Sequence, residues 1–220
     1  NGVKTMKNIL IIGLGRFGLH LAHKMTQLGN EVMIVDADAT RVNQNAQDFA
    51  DAQIADCTDL ELLRSLDIAS FDVCFVSVFD DFESSLVITS HLHTLGAHCI
   101  VSVAKKAVQA KILRKIGADE VICPEREIAE KTAVRYNTEN IFDYFPLTAE
   151  YSIYEIAVPR DWIGKTPAEL DVRKHFKINI VALRQDNSIA PLEGADHVFQ
   201  AQEHMMVLGR SEDVFRLAKD

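Results

Sequence analysis

The sequence has no surplus of positive charge. Its 220 residues carry 23 Lys and Arg against 32 Asp and Glu, a net charge of −9. Nucleic-acid binders present a basic face, so a nucleic-acid partner is not expected. No apolar run approaches the roughly 18 residues that span a bilayer, and no signal peptide is visible. Any membrane role is therefore expected to come through a partner. Cysteine is sparse: Cys57, Cys74, Cys99 and Cys123 include no C-x-x-C pair. Cys74 and Cys99 lie in apolar runs, which points to buried free thiols in a reducing cytoplasm rather than disulfides or metal ligands. Catalytic signatures are missing as well. There is no G-x-S-x-G, no Walker lysine motif and no defensible Cys/His pair. His20 and His23 share a helix face, but no Cys or acid is spaced to complete a metal site with them. The opening Asn1-Gly2-Val3-Lys4-Thr5-Met6 does not begin with Met, reads as partly an appended remnant, and is left out of the fold argument.

What is present is an apolar run leading into glycines, Asn8-Ile9-Leu10-Ile11-Ile12-Gly13-Leu14-Gly15-Arg16-Phe17-Gly18. A helical pattern follows, then Glu31-Val32-Met33-Ile34-Val35-Asp36. In a G-x-G-x-x-G turn, Gly13 makes the tight bend and Gly15 lets the backbone approach a phosphate. Gly18 lets the helix pack on the strand. The helix N-terminus then offers free N–H groups and a positive dipole end to an anion. Asp36 stands where a carboxylate accepts ribose hydroxyls and repels a 2′-phosphate; the plainer reading is a solvated acid at a strand end. The pattern predicts a mononucleotide or dinucleotide cradle.

Along the chain, apolar runs alternate with helical periods as far as Cys123. Strands are expected near residues 9–12, 32–35, 53–55, 72–78, 99–103 and 120–123. Asp38 is expected to cap one helix, and Thr58-x-x-Glu61 reads as a capping box for another. This alternation predicts an α/β fold, a Rossmann-like doubly wound parallel sheet. The fourth strand's end, Ser77-Val78-Phe79, is expected to close over the ligand. From Tyr151 the pattern becomes strand, helix, strand, turn, strand, with Pro167 opening the helix and Asp186-Asn187 making the turn. It reads as a small α+β domain. The expected organisation is a nucleotide-binding domain over 7–137, a linker over 138–150 and a C-terminal domain over 151–220. Phe142, Tyr144 and Phe145 suggest that the linker is docked or contacts another subunit.

These residues carry a resemblance. G-L-G-R-F-G, Val35-Asp36, Ile54-Ala55-Asp56, Lys115-Ile116-Gly117-Ala118-Asp119 and Cys123-Pro124-Glu125 resemble the regulator-of-potassium-conductance (RCK; TrkA-N/TrkA-C) family. The nearest likeness is to the cytosolic gating subunits of Ktr/Trk-type potassium transporters. Trp162-Ile163-Gly164-Lys165-Thr166, Leu170-Asp171-Val172-Arg173 and Ile180-Val181-Ala182-Leu183-Arg184 extend it over nearly the whole chain. The resemblance implies a ligand sensor, not an enzyme: a homodimer, assembled into an octameric ring, that binds ATP, ADP or NAD(H) and gates a membrane-embedded potassium transporter. The chain would sit at the inner face of the cell membrane through that partner.

By the same resemblance Arg16 pairs with terminal phosphates, although it also reads as a surface arginine of the first helical turn. Ala55, Asp56 and Cys57 lie near the adenine. Glu125 helps hold a cation beside the phosphates, or simply stabilises the helix dipole. The family often has glycine where Phe79 stands and a basic residue near Val103, a role that Lys105 takes if the strand continues to it. Some members bind cyclic di-AMP between C-terminal domains, which would involve Arg173 and Asn179. Ser188 stands where those members often have histidine. The competing classes are an NAD-dependent oxidoreductase, for which no acid/base constellation is evident, and a stand-alone NAD(H) sensor.

Overall fold

The computed structural model describes residues 6–186 and 188–219. The chain forms two compact units, one up to Arg126 and one from Glu127. In the first, strands and helices alternate: β1 (Asn8–Ile12), α1 (Arg16–Gln27), β2 (Glu31–Asp36), α2 (Ala39–Asn45), β3 (Asp51–Ile54), α3 (Leu60–Ser65), β4 (Val73–Val76), α4 (Phe82–Thr94), β5 (Ile100–Val103), α5 (Ala107–Lys115) and β6 (Glu120–Ile122). The six strands are parallel in the order β3-β2-β1-β4-β5-β6. That is the expected doubly wound sheet, and its order reverses between β1 and β4.

Successive side chains of a strand face opposite sides, so β1 feeds two cores. Ile9 and Ile11 pack with Ala22, Val32, Ile34 and Val42. Leu10 and Ile12 pack with Val35, Cys74, Val76, Ile88 and Leu92. A sheet covered on both faces needs continuous apolar strands, which is why Ile9–Ile12 reads as an unbroken run. Helix starts are fixed by side-chain oxygens. Asp38 accepts from the N–H groups of Thr40 and Arg41, as expected. At α3 the expected capping box is replaced: Asp59 is the cap, accepting from Glu61 and Leu62. The Thr58 hydroxyl instead donates to Asp56, 2.7 Å away. Two adjacent residues could serve as cap, and the helix begins one residue later than the Thr58 reading requires.

The second unit holds most of α6 (Pro124–Tyr136), then β7 (Ile141–Pro146), β8 (Tyr151–Ala157), α7 (Pro167–Leu170), α8 (Val172–Phe176), β9 (Asn179–Gln185), β10 (Ser188–Pro191), β11 (His204–Arg210) and α9 (Ser211–Leu217). Its antiparallel sheet runs β10-β9-β11-β8-β7. The segment read as a linker contains β7, paired along β8. Its ring residues have partners: Phe142 stacks on His204 at 3.9 Å, and Tyr144 lies 5.1 Å from Tyr154. Trp162, fully buried, packs against Phe176 and Phe199. Thr166 caps α7 in a box with Glu169, with Pro167 in the first turn as predicted. Of the expected Asp186-Asn187 turn, Asn187 lies outside the described residues, as do Asn1 to Thr5.

Candidate functional site

The site forms where the sheet order reverses, at the C-terminal ends of β1 and β4. Gly13 leaves β1 with φ +95°, and its N–H donates to the Val35 carbonyl at 2.8 Å. A Cβ there would meet the Ser77 carbonyl oxygen at 2.7 Å. A Cβ on Gly18 would lie 2.0 Å from the Gly13 carbonyl oxygen. The third glycine is therefore required by contact between the first turns of α1 and the loop itself. Gly15 differs, since nothing lies within 4 Å of its missing Cβ. It is the N-cap of α1, with no side chain closing the helix end, whereas aspartates cap α2, α3 and α4. The first-turn N–H groups of α1 are left for an outside acceptor.

Two adjoining cavities meet at Gly15, Ser77, Phe79 and Asp80. The larger, about 400 Å³, is also lined by Gly13, Asp36, Arg41, Ala55, Asp56, Cys57 and Val78. The smaller, about 270 Å³, adds Arg16, Phe17, Lys105, Pro124 and Glu125. The predicted residues of the first unit thus come together around one cleft, with Gly18 packed behind its loop. Asp36, Asp56 and the apolar wall of Ala55, Cys57 and Val78 are at one end, and Arg16, Lys105 and Glu125 at the other.

Asp36 is buried, and both its oxygens are engaged. Oδ2 accepts from the Leu14 N–H at 2.6 Å and Oδ1 from the Asp38 N–H at 2.8 Å. The carboxylate therefore braces the glycine loop as well as facing the cavity, and its remaining lone pairs are available to hydroxyl donors. Arg41 Nη1 stands 3.5 Å from it. Asp56 accepts from the Thr58 N–H and hydroxyl, which hold its carboxyl below the ordinary range. Burial pushes the Cys57 thiol up to about 12, so it is a neutral wall group and not a thiolate nucleophile. Ser77 is buried with its Oγ unpartnered.

β5 ends at Val103, so Lys105 is not on a strand as expected. It reaches the cleft from the loop before α5, with its ammonium 4.8 Å from the Phe79 ring centre and 2.6 Å from Asp80 Oδ1. Glu125 is exposed in the smaller cavity. Among the described residues no group of three His, Cys, Asp or Glu is placed to hold a metal ion. A cation beside Glu125 would need further oxygens from ligand phosphates or a second copy. Among the lining residues missed by sequence reasoning are two charged ones, Arg41 and Asp80. Arg41 follows Asp36 by one turn of a capped helix, which returns its side chain to the strand end, and Asp80 directly follows Phe79. Their charge was visible in the sequence but their convergence was not.

In the second unit, Arg173 lines a separate cavity of about 500 Å³ with Asp171, Ile178, Ile180 and Leu192. Asn179 does not line it. Its neighbours Ile178 and Ile180 do, and alternate residues of an extended chain face opposite ways. Ser188 lines a wide trough, about 1150 Å³, on the β10 side. Among the described residues two carboxylates are buried in this unit: Glu155, bonded to Arg184 and His204, and Glu203, bonded to His197 and the Gln200 N–H. Volume alone favours these hollows, but among the described residues neither is lined by the uncapped start of a helix of two or more turns, so the first-unit cleft is the candidate site. Among the described residues no helix is long and apolar enough to cross a membrane.

Comparison with known proteins places this geometry in context. Residues 9–124 match the TrkA-N domain and residues 152–219 the TrkA-C domain. The chain is 34% identical over 213 residues to the Ktr system potassium uptake protein C of Bacillus subtilis (strain 168), covering 97% of this chain and 96% of that protein. It is 30% identical over 214 residues to the Ktr system potassium uptake protein A of the same organism, with the same coverage of 97% and 96%. Among solved structures, the GsuK RCK domain shares the fold at TM-score 0.68 and 18% identity, covering 100% of this chain and 49% of that one. The GsuK channel bound to NAD aligns at TM-score 0.68 and 18% identity, covering 99% of this chain and 40% of that one. This chain spans about half or less of those two GsuK chains.

Proposed function

The chain belongs to the family that joins a TrkA-N to a TrkA-C domain, and from that membership we propose that it is the nucleotide-sensing regulatory subunit of a membrane potassium uptake system. The observation that carries the reading is the uncapped start of α1. It opens beside an unfilled Gly15 onto a cleft with Asp36 at one end and Arg16, Lys105 and Glu125 at the other. The likeness to two potassium uptake proteins along nearly its whole length supplies the partner class.

In this reading the nucleotide-binding domain covers 7–137 and the C-terminal domain 151–220, although the second compact unit begins at Glu127 and takes in β7 of the intervening segment through its pairing with β8. The fit to a nucleotide is good in chemical terms. Asp36 offers its remaining lone pairs to ribose hydroxyls. The adenine end is walled by Ala55, Asp56, Cys57 and Val78, and the α1 N–H groups, Arg16 and Lys105 receive phosphates. The ligands are ATP and ADP. NAD(H) is the second candidate, because the two cavities adjoin at Phe79 and offer length for a dinucleotide. Glu125 contributes one ligand to a cation held between it and the phosphates. The ligand is read and not turned over. Homodimers assemble into an octameric ring, and binding biases that ring between states only as far as its affinities for them differ. The ring loads the gate of the transporter at the inner membrane face. A cyclic di-AMP site using Arg173 and Asn179 is a separate proposal that requires a second copy, since one chain does not bring the two residues into one cavity.

Titration calorimetry with ATP, ADP and adenosine tests the core reading. Arg16→Ala is expected to lower the ATP-to-ADP affinity ratio about tenfold, one charge-assisted phosphate contact, while adenosine binding is unchanged. No binding of any adenine nucleotide by the native chain would overturn the reading. Potassium-uptake complementation in cells that hold the transporter tests the partner.

A further inference from the structure

We infer that Asp80 is a built-in counter-anion for the phosphate end of the cleft, holding Lys105 until a ligand phosphate displaces it and thereby setting which nucleotide charge the site prefers. The inference rests on the nucleotide reading of the cleft.

Asp80 lies at the junction of the two cavities and lines both. Lys105 Nζ donates to its Oδ1 at 2.6 Å while resting over the Phe79 ring. The hydrogen bond and charge of Lys105 hold the Asp80 carboxyl below the ordinary range, and Arg41 and Arg16 add to the effect. Three cations from three segments of the first unit therefore act on one carboxylate, at the mouth where the α1 N-terminus also lacks an acceptor. That is the electrostatic position of a phosphate, occupied by a tethered acid.

The two ends of the bridge stand on fixed backbone. Asp81, the next residue, caps α4 through the Ser84 N–H and hydroxyl. The N–H groups of Lys105 and Lys106 both donate to Gln109 Oε1 at 3.0 Å. Exchange of Asp80 for a phosphate requires only side-chain rotation, which is fast for exposed groups. The Asp80 side chain is 94% exposed, so the pair is a weak brace for the fold and displaceable.

The charge balance gives the consequence. The smaller cavity is lined by two cations, Arg16 and Lys105, and two anions, Asp80 and Glu125. A site with no net charge gains little from each further phosphate. It favours ligands of lower charge, or a triphosphate already neutralised by a cation, over the free triphosphate. Removing one negative charge a few ångströms away changes the preference for one extra ligand charge by about fivefold in a high-dielectric site.

Titration calorimetry of the full chain with ATP and ADP, free of divalent cation, reads this directly. Asp80→Asn is expected to raise the ATP-to-ADP affinity ratio about fivefold, an effect that shrinks as salt is added. Asp80→Glu keeps the charge and should keep the native ratio, and the gain should fall in a Lys105→Met background. Binding of ATP by Asp80→Asn but not by the native chain also supports the inference. If both chains bind both nucleotides with the same ratio, Asp80 is a bystander and the inference is overturned while the nucleotide reading stands. If neither binds a nucleotide, both are overturned.

Discussion

At one end of the cleft Asp36 is buried with both oxygens accepting backbone N–H groups, whereas at the other Arg16, Asp80, Lys105 and Glu125 stand exposed on four segments. The first end is built from the same bonds that hold the glycine loop to the sheet. In the proposed nucleotide reading, ligand recognition and folding share atoms there, and neither can be changed alone. The second end is built from side chains whose removal leaves the backbone in place. In that reading, selectivity among phosphates can be tuned there without loosening the fold. A sensor has reason to be arranged this way, with a fixed cradle for the part common to its ligands and adjustable charge for the part that differs.

The sharpest way to break this comparison is at Gly18. Gly18→Ala places a methyl 2.0 Å from the Gly13 carbonyl oxygen, so backbone must move. We expect a loss of about 3 kcal/mol in urea denaturation, with nucleotide binding lost together with it. Asp36→Asn comes next. An amide must turn its NH₂ toward either the Leu14 or the Asp38 N–H, leaving one donor facing another. About 2 kcal/mol of stability should go, with at least tenfold weaker adenosine binding. If either variant kept its stability and lost only affinity, the shared-atom account of this end would fail. At the other end, Arg16→Ala should change the ATP-to-ADP ratio and leave the unfolding free energy within about 0.5 kcal/mol. Smallest in stability terms is Asp80→Asn, with an unfolding midpoint that matches the native chain. A large loss there would mean that the bridge braces the fold. As Lys105 holds the Asp80 carboxyl below its ordinary range, the native chain keeps the bridge throughout neutral and mildly acidic solution; protonation releases it only as pH falls through that lowered value.

Much of the cradle was legible because its residues are contiguous. β1, the glycine turn and the start of α1 occupy one short segment, and Asp36 ends the neighbouring strand, so spacing alone carries their geometry. The Asp38 cap and the Thr166-Pro167 helix start were legible for the same reason. Legibility failed where two local solutions compete, as at Thr58 and Asp59, or where pairing is decided at a distance. β7 is such a case. Its aromatics look like a docked connection until β8 supplies the partner strand. Lys105 was assigned to the cleft through a strand that stops at Val103, and it arrives there by a loop. Arg41 and Asp80 gave no signal, since an isolated charge on a helix or loop says nothing about what it faces.

By itself, then, the sequence determined the alternation of strands and helices, the turn that only glycine can make, and the kind of ligand such a turn can hold. These follow from local sterics and from apolar periodicity, which act over a few residues. The tertiary structure alone decided that Asp36 braces the glycine loop while lining the cleft, that Arg173 and Asn179 part company, and that Asp80 meets Lys105 where the two cavities join. Those are matters of distance between segments as many as 25 residues apart in the chain. Electrostatic energy depends on that separation in space, which no local pattern encodes.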